Sequence, residues 1–404
     1  MQQPIAIAKN AFLQTVRQPT YGIIVLVTLG GLALAPSLTG WTLDDDDKML
    51  RDIGLSTLLI EGLFLACFTA SSVINTEIDE KVVLTSVAKP ISRFSFVIGK
   101  YLGVLGAVAA AQYLAGVAIF MMLRHGVMQT ASDKLDMTVI VFGPIAVVAA
   151  LVAATALNYV FDWRFLPAFL TLIVPLSVLG VIVMLTLDKN WKPKSYEITQ
   201  TMDNLPAVVS QPGALRGIVE FRPLEGHGTL EGNRGLLVHN TLSGPINDDD
   251  RDYLNNLSDS AQWKKDVNYL VVESRKHQGP EVFKAGLLVF GAVAILTAVA
   301  VMLSTRWGMI ATYVGCIMAT CIGLTVDHYQ HQIAHSRAPG ALKTAAAWAY
   351  PLIPNFQIFW MIDALSEDRL IPWSYVAHAY GYAALCIGAF LLAAGALFET
   401  REVG

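Results

Sequence analysis

Three groups of residues in this sequence have types and spacings that could support chemistry. Glu61 is the one acidic residue in an otherwise apolar run. His328, His331 and His335 follow one another at spacings of three and four residues, which would place the three imidazoles near one face of a helix. Charged residues are also concentrated in a short segment, 77–100, between two apolar runs. What each group can do depends on the elements that position it.

Those elements are membrane spans. The chain has 404 residues, of which 54% are hydrophobic and 15% are charged, whereas about 25% charged residues are usual in a soluble domain. Apolar runs of about 20 residues are long enough to cross the hydrocarbon core of a bilayer as helices. We therefore predict an all-α polytopic membrane protein and exclude a soluble globular enzyme. The eight predicted spans are Tyr21–Leu43, Ser56–Thr76, Tyr101–Leu123, Met137–Phe161, Phe165–Leu187, Ala285–Thr305, Trp307–Val326 and Leu370–Phe398.

One further apolar segment, 344–362, does not fit a simple span. Pro351 and Pro354 interrupt it, and Asn355 follows them. Each proline removes a backbone hydrogen bond that a helix in lipid needs. We expect a re-entrant element on the outer side of the membrane, which also keeps the number of spans even.

Lysine and arginine in the short loops indicate the orientation of the spans. One set of loops carries nine such residues and the opposite set six, and most of the excess lies in 77–100. We therefore expect both termini and the segment 77–100 in the cytoplasm.

Residues 188–280 form the longest polar stretch, and the parity of the spans places them outside the cytoplasm. Gly217–Phe221 and Gly235–Val238 are typical of strands between glycine-rich turns, and Asp252–Leu270 is typical of a polar helix. We expect a small extracytoplasmic α+β domain, inserted between the fifth and sixth spans.

Glu61 has two interpretations. An acid at the centre of a span costs about 2.5–3.5 kcal/mol, and less near the interface. Glu61 either lines a pathway through the membrane, or is paired or exposed to water near the outer interface. The second interpretation is favoured, because Glu61 lies near one end of its predicted span.

The three histidines are weak candidates for a metal site. Imidazoles at this spacing can bind zinc or copper, with an affinity that falls below the ordinary histidine pKa of about 6.5. An outer-surface helix that binds no metal is the favoured alternative, so no metal site is predicted. An intramembrane metalloenzyme built on His328, His331 and His335 is retained as a further hypothesis.

The segment 77–100 is predicted to contain a short cytoplasmic helix. Its N-terminal end is acidic, as the helix dipole favours, and Pro90 ends it. A compact charged segment between two spans suits docking to a cytoplasmic partner, although from composition alone a solvated loop is the favoured alternative. The candidate contact residues are Glu77, Asp79, Glu80, Lys81, Lys89, Pro90 and Arg93.

The order of these features resembles the permease subunits of type 2 ATP-binding-cassette (ABC) exporters. The pattern that carries the resemblance is an acidic start, a short apolar helix, Ala88-Lys89-Pro90-Ile91-Ser92-Arg93 and then Gly99-Lys100. Three further segments agree with it. The amphipathic stretch 1–20 resembles the elbow helix of that family. The polar join between two late spans is resembled by Leu303-Ser304-Thr305-Arg306. The outer hairpin and the closing tail are resembled by Ile353-Pro354-Asn355-Phe356 and by Phe398-Glu399-Thr400-Arg401.

The resemblance implies a function and a set of partners. Segment 77–100 would be the coupling helix that contacts a separate ABC ATPase subunit. The sequence has no phosphate-binding loop of the form G-x-x-x-x-G-K-[ST], so ATP and Mg would be bound by that subunit and this chain would hold no cofactor. A second permease half, identical or paralogous, and membrane lipids would be the other partners, in the cell inner membrane. Nothing in the charge pattern suggests nucleic acid.

The expected organisation departs from the six spans usual in that family. We expect an elbow helix (1–20), five spans with the coupling segment (21–187), the polar domain (188–280), and three spans with the re-entrant segment (281–404). The fourth and fifth spans and the polar domain look like an insertion. The alternative function is a membrane-anchored binding or assembly protein that acts through 188–280.

Overall fold

The computed structural model describes most of the membrane-spanning part of the chain. The described residues are 2–39, 46–79, 93–126, 136–187, 191, 218–222, 236–239, 261–335, 343–344, 350, 353–362, 365 and 371–399. They form nine α-helices: α1 (Gln2–Val16), α2 (Pro19–Thr39), α3 (Asp46–Asp79), α4 (Arg93–His125), α5 (Met137–Phe161), α6 (Phe165–Thr186), α7 (Ala261–Ser304), α8 (Met309–His335) and α9 (Trp373–Glu399).

Eight of these helices, α2 to α9, are long and apolar enough to cross a membrane, which confirms the predicted number of spans. Two of them begin seven or more residues before their predicted spans: the spanning part of α3 starts at Lys48 and that of α4 at Phe94. The reason is that Arg51 and Lys100 are buried within these helices. A charge that is covered by protein does not end a span as it would in lipid.

Helix α7 lies at the centre of the bundle and packs against α3, α4, α8 and α9. Between Lys284 and Ser304 it has no charged residue and is apolar on all sides, as a fully buried helix must be. The approach of α3 is close, since a Cβ atom at Gly62 would lie 2.3 Å from Val293 Cγ2. Only a residue without a side chain allows the two helices to approach to this distance.

Helices α5 and α6 form a hairpin at the edge of the bundle. They pack mainly on each other and touch α4 along a smaller surface. Asp162, which ends α5, adopts a left-handed conformation with φ 54°, and α6 starts three residues later at Phe165. Large apolar side chains such as Val152, Leu179 and Ile182 are exposed, as expected for helices that contact lipid.

The polar stretch differs from the prediction. The described elements are two antiparallel strands, β1 (Ile218–Arg222) and β2 (Leu236–His239), and the first part of α7. The predicted polar helix is not separate, because α7 starts at Ala261 and runs through Pro280 into the sixth span without a break. A two-stranded hairpin has too little apolar surface for a core of its own. The described residues therefore do not support an extracytoplasmic α+β domain.

Candidate functional sites in the helix bundle

The C-terminal end of α3 and the N-terminal end of α4 flank the predicted coupling segment. Glu77 and Asp79 lie in the last turn of α3, and Arg93 is the first residue of α4. The two acids therefore lie at the C-terminal end of a helix, where the dipole disfavours them, and not at the N-terminal end of a new helix as predicted. Of the other candidate contact residues, Glu80, Lys81, Lys89 and Pro90 lie outside the described residues.

Helix α1 packs against the N-terminal part of α4. A Cβ atom at Gly103 would lie 2.4 Å from the Ala8 carbonyl oxygen, and one at Gly99 would lie 2.7 Å from Ile7 Cγ2. The spacing Gly-x-x-x-Gly is one that allows helices in membranes to approach closely. The sequence predicted an amphipathic helix in this stretch. The face of α1 that packs on α4 includes Ala11, whereas the apolar side chain of Ile5 is 68% exposed.

Glu61 lies at the centre of the bundle rather than near the outer interface. It is thirteen residues after Lys48 and fifteen before Thr76, so each end of the span is about 20 Å away along the helix axis. Only 2% of its surface is exposed. The favoured interpretation was an acid that is paired or exposed to water near the outer interface. The low exposure excludes a water-exposed carboxyl group, and the position in the middle of the span follows because α3 starts well before the apolar run that defined the predicted span.

The partner of Glu61 is Gln112 of α4. The Gln112 side-chain amide donates to the Leu58 carbonyl oxygen at 2.8 Å and to Glu61 Oε2 at 3.3 Å. Glu61 Oε1 and Gln112 Oε1 are both buried and have no hydrogen-bond partner among the described residues. The phenol of Tyr21 on α2 is near enough to interact electrostatically with Glu61, and its hydroxyl donates to the Ala107 carbonyl oxygen at 2.8 Å.

The re-entrant segment enters the bundle from the end at which α7 begins its span and α8 ends. A Cβ atom at Gly323 of α8 would lie 2.4 Å from Phe356 Cδ2, and one at Gly291 of α7 would lie 2.9 Å from Phe359 Cε1. Gly291 is ten residues from Glu281, where its span begins, and Gly323 is ten residues from Ile333, so the segment reaches about 15 Å into the bundle. It contains the 3₁₀ turn Gln357–Phe359, consistent with the prediction of a broken, non-spanning element.

Protein groups supply the hydrogen bonds that this irregular backbone lacks. The Phe356 N–H donates to the Gly323 carbonyl oxygen at 2.9 Å, and the Asn355 N–H donates to the Tyr382 hydroxyl at 2.8 Å. The Tyr375 hydroxyl donates to the Ile358 carbonyl oxygen at 2.7 Å. Non-helical backbone is tolerated at membrane depth only where protein satisfies it in this way.

Two groups of polar contacts lie at the end of the bundle where this segment enters. Lys284 Nζ lies 2.6 Å from Glu281 Oε1 and donates to the Ile371 carbonyl oxygen at 2.7 Å, which joins α7 to the start of α9. The Tyr350 hydroxyl donates to Asp327 Oδ1 at 2.5 Å. This hydrogen bond, together with burial, raises the pKa of Tyr350 above its ordinary value.

The histidines do not come together as a metal site. The rings of His331 and His335 stack with their centroids 4.2 Å apart, while His328 Nε2 lies 2.9 Å from the Gln332 side-chain nitrogen. Within the described ranges, no group of three His, Cys, Asp or Glu residues is arranged to hold a metal ion. The geometry gives no support to the metalloenzyme hypothesis.

Comparison of the chain with sequence profiles of protein families, with curated proteins and with solved structures finds no match.

Sequence reasoning did not identify Gln112 or the spacing Gly99-x-x-x-Gly103 as functional features. Both signals are present in the chain, since Gln112 is an amide in the middle of an apolar run and the two glycines are four residues apart. An amide in a span becomes informative only when its partner is known. Its partner, Glu61, is 51 residues away in sequence.

Proposed function

We propose that this chain is the membrane-spanning permease subunit of an ATP-driven transporter of the type 2 ABC exporter kind. A separate ATPase subunit would bind ATP and Mg and press on the segment 77–100. The resulting movement of α3 and α4 would carry a substrate across or out of the membrane. The described parts of the spans contain no row of charges that would select a particular substrate, so no substrate class is proposed.

The observation that carries this proposal is the arrangement of α1, α3 and α4. Helices α3 and α4 are the two long spans that end at the proposed docking segment, and thirteen residues, 80–92, connect them. Helix α1 packs on α4 through Gly99 and Gly103, so that the cytoplasmic part of α4 has a support on one side. A force applied to 80–92 would therefore tilt long helices instead of bending a loop.

The same two helices lead to the centre of the membrane. Gly62 of α3 contacts the central helix α7 at Val293, and Gln112 of α4 binds Glu61 of α3. A tilt of α3 against α4 would change this contact first. Glu61 is therefore the residue at which we place the pathway, with both termini in the cytoplasm and the chain in the cell inner membrane next to a second permease half.

The experiment is to purify the protein from its native membrane in mild detergent and identify the ATPase that accompanies it. With this complex, the double variant E77Q/R93Q is expected to lose most of the permease-stimulated ATP hydrolysis, by about tenfold or more, because two charged contacts of the docking segment are removed. Membrane insertion and the yield of the purified chain are expected to stay as in the wild type.

A matched control is available at the turn between α5 and α6. D162N/R164Q also neutralises one acid and one base, both exposed and at the same predicted side of the membrane. Asn tolerates the left-handed conformation of residue 162. Unchanged ATP hydrolysis in E77Q/R93Q, or labelling of K89C from outside the cell, would contradict the proposal.

A further inference from the structure

We propose that Glu61 and Gln112 form a proton-binding site at the centre of the bundle, in which the Glu61 carboxyl group is held in its neutral form. The site goes beyond the proposed function, since it depends on the packing of α3 against α4 and not on what drives these helices. Three observations support it: the charges around Glu61, the count of hydrogen-bond donors, and the lack of a coordination shell for a larger ion.

Among the described residues around Glu61, no cation is found that could balance an ionised carboxylate. Helix α2, residues 101–123 of α4, residues 285–304 of α7 and residues 309–326 of α8 contain no Asp, Glu, Lys, Arg or His. Tyr21 is the titratable group for which an electrostatic interaction with Glu61 is found among the described residues, and a phenol is neutral at physiological pH. An unbalanced charge at this depth would neutralise by taking up a proton.

The hydrogen bonds agree with a neutral acid. An ionised carboxylate accepts at both oxygens, and when buried it needs several donors. The described residues supply one donor, the Gln112 side-chain amide. It lies 3.3 Å from Glu61 Oε2 and also donates to the Leu58 carbonyl oxygen. Glu61 Oε1 is the oxygen without a donor, and it is where the proton of a neutral acid would sit.

A sodium or other metal ion fits the site less well than a proton. Such ions take about six oxygen ligands, whereas the buried side-chain oxygens that the described residues leave free here are Glu61 Oε1 and Gln112 Oε1. The Leu58 carbonyl oxygen already accepts from Gln112. When α3 and α4 separate, water would reach Glu61 and the proton would be released, so that proton occupancy reports whether the two helices are closed.

The test uses the intact protein in its membrane and dicyclohexylcarbodiimide, an apolar reagent that modifies protonated carboxyl groups. Mass spectrometry is expected to find the adduct on Glu61 at a level at least about tenfold higher than on Glu281, at a pH of about 6 to 7. Glu281 is a matched control in the same sample. It is also buried, but Lys284 pairs with it at 2.6 Å and the Ile371 N–H donates to it at 2.6 Å.

A second measurement is independent of access by the reagent. The infrared difference spectrum between the wild type and E61Q is expected to contain the carbonyl stretch of a protonated acid, and in Q112L this band should move to the position of an acid with fewer hydrogen bonds. A carboxylate band in place of the acid band would overturn the proposal. Protection of Glu61 from the reagent by sodium or potassium at constant pH would also overturn it, in favour of a cation site.

Discussion

Arg124 and Asp136 show how single side chains fasten the peripheral hairpin to the bundle. Arg124 Nε donates to Asp136 Oδ2 at 2.8 Å, and its Nη2 donates to the Leu187 carbonyl oxygen at 2.8 Å. Asp136 also caps the start of α5 by accepting from the Thr138 backbone N–H at 3.0 Å. One buried cluster therefore joins the end of α4, the start of α5 and the end of α6.

This cluster predicts a pH dependence of stability. Burial alone would raise the pKa of Asp136, but the hydrogen bonds from Thr138 and Arg124 and the Arg124 charge outweigh it and hold the pKa below its ordinary value. A group with a depressed pKa contributes stability that is present above its unfolded value of about 3.9 and is lost as the pH falls. The melting temperature of the wild type is expected to approach that of D136N as the pH falls from about 6 to about 3.

The control for this prediction is D162N, at an exposed aspartate that ends the same helix. Its melting temperature should follow that of the wild type through the same pH range. Parallel curves for the wild type and D136N, with a constant difference between them, would show that the Asp136 carboxylate contributes no pH-dependent stability.

Single residues were predictable where their type alone is unusual in a span. Glu61 was found because an acid among apolar residues is costly wherever it lies. Its depth was not found, because the start of α3 depends on the burial of Arg51, and Arg51 donates to the Leu365 carbonyl oxygen 314 residues away. Contacts over such sequence separations are properties of the fold that no local pattern contains.

At the scale of elements, the contact between α1 and α4 depends on two glycines. The sequence predicted that α1 is an amphipathic helix, and the structure adds that α4 covers part of its apolar face. Gly103 accommodates the backbone of α1, whereas Gly116 of the same helix has nothing within 4 Å of its Cβ position. Substitutions at Gly103 and at Gly116 can therefore be compared to distinguish the loss of close packing on α1 from the effect of a larger side chain in α4.

The variant G103L is expected to lower the melting temperature of the purified protein by at least about 2 °C, because overpacking of a tight contact costs about 1–3 kcal/mol. It should also weaken the stimulation of the proposed partner ATPase, since α1 supports α4 beside the proposed docking segment. Equal effects of G103L and G116L on both measurements would show that the contact with α1 contributes nothing specific.

The re-entrant segment was predictable as an irregular element because Pro351 and Pro354 exclude a continuous helix. Its depth was not predictable, because it depends on Gly291 and Gly323, which leave room for Phe359 and Phe356. Glycines are common in membrane helices, and their positions gain meaning only when the neighbouring segment is known.

At the scale of the whole molecule, the number of spans was predicted correctly because each run is long and, apart from Glu61 in the second span, free of charge. The predicted α+β domain lacked such a signal. Strand patterns in 188–280 are short, and a strand pair becomes a domain only if it buries an apolar face against further elements. The described residues there comprise β1, β2, Trp191 and the start of α7.

Replacing 192–260 by a flexible linker of about 20 residues would decide between the proposed permease and the alternative of a binding or assembly protein that acts through 188–280. The linker keeps Trp191, whose ring packs on Phe142 at a centroid distance of 5.3 Å. We expect stimulation of the partner ATPase to persist, because the docking segment and its supporting helices are retained. Loss of stimulation in a correctly inserted variant would favour a protein that acts through its outer region. A linker of scrambled native composition is the control for length.

The hydrogen bonds of the re-entrant segment also set an order for biogenesis. Its partners come from both directions along the chain, with Gly323 made before it and Tyr375 and Tyr382 made after it. A ribosome must therefore complete the ninth helix before this backbone can leave its contact with water or the insertion machinery. A nascent chain that stops before Trp373 would retain unpaired amides in the bilayer, and quality-control proteases would have a recognisable target.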